Sequence, residues 1–117
     1  MTENTPAVQH HFTDRAPVVR AIYDRLLMAV RQFGPVEEDP KKTSIHLNRN
    51  SAFAGVATRK EALVITVKSA RDIDSPRVAK REQVSKSRWH IEVRLTDPAQ
   101  VDSELIAWLR EAYEISA

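Results

Sequence analysis

His46 and His90, with Glu92 two residues beyond the second, are the side chains of this 117-residue chain whose types could do chemistry. Imidazole and carboxylate are ligand types for zinc or iron, and a histidine beside a glutamate can serve as base and orienter. Both histidines lie in stretches where apolar and polar residues alternate. That alternation puts His46, Asn48, Thr66, Lys68, His90, Glu92 and Arg94 on one open, polar face of a sheet, because strand residues two apart point the same way. No spacing motif binds them together, and their strands need not be neighbours. The expectation is a solvent-facing pair of histidines with no structural metal, no catalytic residue and no cofactor.

A second constellation is broader and basic: Lys41, Lys42, Arg49, Arg59, Lys60, Lys68, Arg77, Lys80, Arg81, Lys86, Arg88 and Arg94. The net charge of +2 conceals a segregation. Residues 1–40 carry 4 basic and 6 acidic side chains, residues 41–94 carry 13 and 5, and residues 95–117 carry 1 and 5. A field of that shape concentrates anions at the middle segment if it forms one surface. Lysines and arginines that merely guard sheet edges would produce the same count. Loop tips hold most of these cations, as contacts to phosphate would require, whereas aromatic interleaving is poor because Phe53 and Trp89 fit the core. Duplex backbone is therefore the form of nucleic acid that the pattern suits.

The totals exclude several classes. With no cysteine, thiolate metal sites, thiol nucleophiles and disulfides are ruled out. Two glycines cannot build a phosphate-cradling loop of the GxxxxGK or GxGxxG kind. Residues 1–11 lack the apolar stretch of a signal peptide, and no apolar run approaches the ~20 residues that span a bilayer, so a soluble cytoplasmic protein without membrane partners is expected.

The elements that must position these residues follow from periodicity. Residues 1–12, including the adjacent His10 and His11, read as a flexible tail pinned by Phe12, and residues 13–117 read as one domain. Val18, Val19, Ile22, Tyr23, Leu26, Leu27, Val30 and Phe33 recur at spacings of three and four, which predicts a helix with Asp14 as cap, Pro17 in its first turn and Gly34-Pro35 as its stop. Glu37 to Pro40 reads as an acidic loop. Strands are expected over 43–49, 52–58, 63–68 and 89–95, the third central. The connection from Ser69 to Ser87 reads as a long loop with one helical turn near Arg77 to Arg81. Asp97-Pro98-Ala99-Gln100 resembles a capping box opening the last helix, with a restart at Asp102 as the alternative. The sum is an α+β two-layer sandwich: helix, four-stranded antiparallel sheet, helix, with both helices on one face and the other face open.

The stretches TSIHLNRNSAFAGVATRKEALVITVK, EQVSKSRWHIEVRL and DSELIAWLREAYE resemble an uncharacterised bacterial family, a domain of unknown function. That resemblance implies a fold and no catalytic residue. More distantly, a tryptophan-bearing strand followed by an acidic helix ending in Ala-Tyr is similar to the MmcQ/YjbR family, which implies a frataxin-like sandwich and a DNA-binding double wing. Arg15, Arg20, Arg25 and Arg31 interrupt the first helix, unlike the dense acidic helix of an iron-binding frataxin. Three readings stay open: a non-enzymatic module that binds a polyanion such as duplex nucleic acid, a protein-interaction or accessory domain, and a small-molecule binder or enzyme with a pocket under the 69–87 connection.

Overall fold

The computed structural model describes residues 8–117 of the chain. Helix α1 spans Pro17–Val30 and buries Val19, Ile22, Tyr23, Leu26 and Val30, the stripe that its spacing of three and four places on one face. Its cap is not Asp14. Ala16 holds that position without a side-chain hydrogen bond, and Asp14 instead turns the chain with φ +59°, a left-handed conformation that aspartate tolerates better than most residues.

Six strands follow among the described residues: β1 Glu37–Pro40, β2 Ile45–Asn48, β3 Ala52–Thr58, β4 Leu63–Ser69, β5 Val78–Ser85 and β6 Arg88–Leu95. They form one antiparallel sheet in the order β1-β2-β3-β4-β6-β5. The expected four-stranded sheet is thus corrected to six, and both additions are edge strands. The acidic stretch 37–40 is not a loop but β1, paired along its length with β2; Pro40, which cannot donate to a ladder, is tolerated because it lies at the sheet's edge. The second half of the 69–87 connection is not a loop with a helical turn but β5, which pairs with β6 through a tight turn at Lys86-Ser87.

The face of the sheet toward the helices carries Ile45, Leu47, Ala54, Val56, Leu63, Ile65, Val67, Ile91, Val93 and Leu95, all buried. Onto it pack α1 and helix α2, Ser103–Glu114, whose buried stripe is Leu105, Trp108, Leu109, Ala112 and Tyr113. The capping box at Asp97 exists, but it closes a single 3-10 turn at Pro98–Gln100; Asp102 caps α2 by accepting from Leu105 N. The segment between β4 and β5 is tied down by its own side chains, with Ile73 in the core and Arg77 bound to the start of α2.

Of the expected tail, residues 1–7 lie outside the described residues. Residues 8–13 form a helical turn whose Val8 reaches the core, while Phe12 packs against the Tyr23 ring with centroids 5.1 Å apart. Among the described residues no helix is long and apolar enough to cross a membrane.

Candidate anion-binding surface

The sheet face turned away from the helices carries His46 half-buried and His90 exposed, with Thr66, Lys68, Arg88, Glu92 and Arg94. Strand order decides what these can do together. His46 is on β2 and His90 on β6, with β3 and β4 between them, so about 14 Å separates their strands. They also occupy different rows: His46 lies opposite Gly55, Gly55 opposite Thr66 and Thr66 opposite Glu92, whereas His90 lies opposite Lys68. One ion cannot engage both imidazoles, and among the described residues no group of three or more His, Asp or Glu could hold a metal. Between the histidines β3 presents only Ala52, Gly55 and Ala57, leaving a trough of about 280 Å³ edged by His46, Thr66, Lys68 and His90.

The basic residues divide according to what already neutralises them. Lys41 is paired with Asp39 at 2.9 Å, and that bond holds the Asp39 carboxyl below the usual carboxylate range. Arg77 is paired with Asp102 and Glu104 at 2.8 and 3.1 Å, and Arg81 with Asp72 and Asp74 at 3.4 and 3.0 Å. Arg49 lies over the Tyr113 ring, 4.3 Å from its centroid, and donates to Tyr113 O. Lys68 donates to the hydroxyls of Ser116 and Ser51 at 2.8 and 3.1 Å. Lys42, Arg59, Lys60, Lys80, Lys86, Arg88 and Arg94 make no ion pair among the described residues.

Those unpaired cations fall into two groups. Lys80, Lys86, Arg88 and Arg94 belong to the β5–β6 hairpin, where Glu82 lies opposite His90 and Glu92 opposite Lys80, so positive charge there is diluted. Lys42 sits in the β1–β2 turn, Arg59 and Lys60 in the β3–β4 turn, and an antiparallel order brings these two turns to the same end of the sheet.

At that end the helical turn over residues 8–13 closes a cleft. His11 Nε2 is 2.9 Å from Lys41 O, the Thr58 hydroxyl donates to His11 O, and Arg15 Nε donates to Thr58 Oγ1 at 3.0 Å. Ala16 N donates to Lys60 O at 2.8 Å, which locks the start of α1 to the β3–β4 turn. The result is a cleft of about 480 Å³ lined by His10, His11, Arg15, Lys42 and Arg59, with Asp14 as its one carboxylate among the described residues. Sequence reasoning missed His10, His11 and Arg15 as members of a site. No local signal marks them, because the hydrogen bonds that place His11 and Arg15 run to residues 30 or more positions away, and His10 is carried by the same helical turn as His11.

A family model for a domain of unknown function, DUF5655, matches residues 8–116. The chain belongs to this family. The DUF5655 span takes in both the helical turn that closes the cleft and Ser116, which Lys68 binds. No curated protein and no solved structure matches the chain, and nothing in these comparisons links the DUF5655 domain to the MmcQ/YjbR proteins.

Proposed function

We propose that this DUF5655 domain is a non-enzymatic module that binds a polyanion, with duplex nucleic acid as the form its charge pattern suits. The observation that supports this reading is the convergence of Arg15, Lys42 and Arg59 on one cleft in which Asp14 is the single carboxylate among the described residues. Three cations gathered without matching acids repel one another, and a phosphate group entering the cleft turns that repulsion into attraction. Lys60, exposed next to Arg59, extends the contact to a neighbouring phosphate. Neither helix serves as a recognition helix. Both bury a stripe against the sheet, and α2 carries Glu104, Glu111 and Glu114 against the single cation Arg110. Contacts from turns reach the backbone and present no pair that reads bases, so binding is independent of sequence.

Each phosphate neutralised adds ~0.9 to the slope of log affinity against log salt, so a cleft with few cations binds at low salt and releases near physiological salt. Fluorescence anisotropy of a labelled duplex between about 20 and 200 mM salt tests this, comparing wild type with the Arg59→Glu, Lys60→Glu double variant. Binding that falls with salt and is lost in the variant is expected. No binding at the lowest salt, or binding indifferent to the reversal, overturns the reading.

One observation favours a second reading, a protein-interaction domain. Among the described residues the outer edge of β5 has no partner strand, seven of its eight residues are exposed, and Val84 is 47 % exposed. Such an edge can accept an added strand, although its bulges and its lysine and arginine are also the devices that keep edges apart.

A further inference from the structure

The open sheet face is not uniform. On β6 it is covered by Arg88, His90, Glu92 and Arg94, long polar side chains that suit a solvated surface. On β3 it is covered by Ala52, Gly55 and Ala57, which leave the backbone bare between the taller rows of β2 and β4. Those rows are two strand spacings apart, about 10 Å, wide enough for one aromatic ring system or acyl chain lying along β3. The volume of about 280 Å³ is at the small end for a ligand site.

Charge at one end of the trough indicates what such a ligand carries. Lys68 edges the trough, and its ammonium has three donors, of which the hydroxyls of Ser51 and Ser116 take two. No carboxylate lies within ion-pair distance of it among the described residues. His90 stands directly opposite on β6, and Arg88 is two residues along the same face. Partial burial, and then the charge of Arg88, push the Lys68 ammonium below its ordinary pKa, as expected for two cations sharing a site without a counter-ion. An anion placed between them removes that repulsion.

We propose that the trough over β3 binds a small, largely apolar monocarboxylate, its body on Ala52, Gly55 and Ala57 and its carboxylate at Lys68, beside Arg88. This site goes beyond the polyanion reading and is separate from it. Lys68 and Arg88 lie toward the β2–β3 and β5–β6 turns, at the opposite end of the sheet from the cleft, and a duplex cannot enter a trough one ring wide.

Gly55 supplies the decisive variant. A Cβ there would have only His46 Cδ2 near it, at 4.0 Å, so the branch point of Gly55→Val enters without a clash and its methyl groups project onto the trough floor, and valine suits a strand better than glycine. The experiment records backbone amide NMR spectra of the full chain titrated with naphthalene-2-carboxylate at millimolar concentration, with the neutral naphthalene-2-carboxamide as control. Shifts confined to residues around Ala52–Ala57, Thr66–Lys68 and His90 are expected, with the carboxamide at least about tenfold weaker. Gly55→Val should fold and lose the response, Lys68→Met should weaken it about tenfold or more, and the Arg59→Glu, Lys60→Glu variant should keep it. The proposal is overturned by no shifts in the wild type, by equal binding of acid and amide, or by an unchanged response in folded Gly55→Val. If duplex binding fails while this response persists, the cleft reading alone falls.

Discussion

The Arg77 guanidinium holds both oxygens of the Asp102 carboxylate, at 2.8 and 2.9 Å from a single nitrogen. Its other terminal nitrogen donates to Gln100 O at 2.7 Å, and its carbon lies 5.9 Å from the Trp108 ring centre. One arginine therefore joins the segment before β5 to the first turn of α2, while the same carboxylate caps that helix at Leu105 N, 3.1 Å away. In the sequence Arg77 is one more cation of the basic run; in the fold it is a clamp.

Asp102→Ala removes both the cap and the clamp's acceptor. A cap alone is worth ~1 kcal/mol, so a lower urea midpoint at neutral pH is expected. The Leu105 N–H, and after it Arg77, hold the Asp102 carboxyl below the usual carboxylate range. A depressed folded value means that this stability is present above about pH 4, the unfolded value, and is lost as pH falls through the folded one. Wild type and Asp102→Ala should therefore converge in urea midpoint as the pH is lowered below about 4. A gap that stays constant into acid would show that the cap contributes independently of its charge.

Tyr23 is buried on α1 and donates to Glu38 on β1. Burial, reinforced by the bond to Glu38 and by that carboxylate's charge, pushes the phenol far above its ordinary pKa. A raised folded value gives stability that is complete below about pH 10 and declines as pH rises beyond it. The wild type's thermal midpoint should drop above about pH 10 more steeply than that of Tyr23→Phe, which at neutral pH should be less stable by ~1 kcal/mol for the lost hydrogen bond. Parallel alkaline profiles would contradict this.

Gly34, just after α1, adopts φ +150°, and a Cβ there would come within 2.5 Å of the Tyr113 hydroxyl. That hydroxyl donates to Pro35 O at 3.0 Å and so cannot move aside freely. Gly34→Ala should lower the thermal midpoint through strain of roughly 1–3 kcal/mol, whereas Gly55→Ala, whose Cβ meets only His46 Cδ2 at an ordinary contact distance of 4.0 Å, should change it little. Equal midpoints for the two variants would refute the contrast.

The two tryptophans differ in burial: Trp108 is 7 % exposed, whereas Trp89 is only partly covered at the edge of the core. Iodide should quench the Trp108→Phe variant, which reports Trp89, more than the Trp89→Phe variant. Trp108→Ala should cost ~3–5 kcal/mol, and Trp89→Ala less. Reversed quenching would misplace α2.

The stripe of α1 and the alternation of β2, β4 and β6 are legible in the sequence, because each element buries one face and local periodicity records which residues that face needs. β1 and β5 are not legible. Seven of the eight β5 residues are exposed, so no alternation arises, and the Lys86-Ser87 turn lacks the Asn-Gly signal of a tight hairpin; hydrogen bonds from β6, not a side-chain pattern, make it a strand. Residue types alone identified a basic chain with two histidines on a polar sheet face. Only the tertiary structure decided that strands β3 and β4 hold those histidines apart, that Asp102 and Asp74 consume Arg77 and Arg81, and that Arg15, Lys42 and Arg59 meet in one cleft. Those outcomes depend on which distant residues become neighbours, and pairing across a sheet is fixed by the packing of the whole chain, not by any stretch of it.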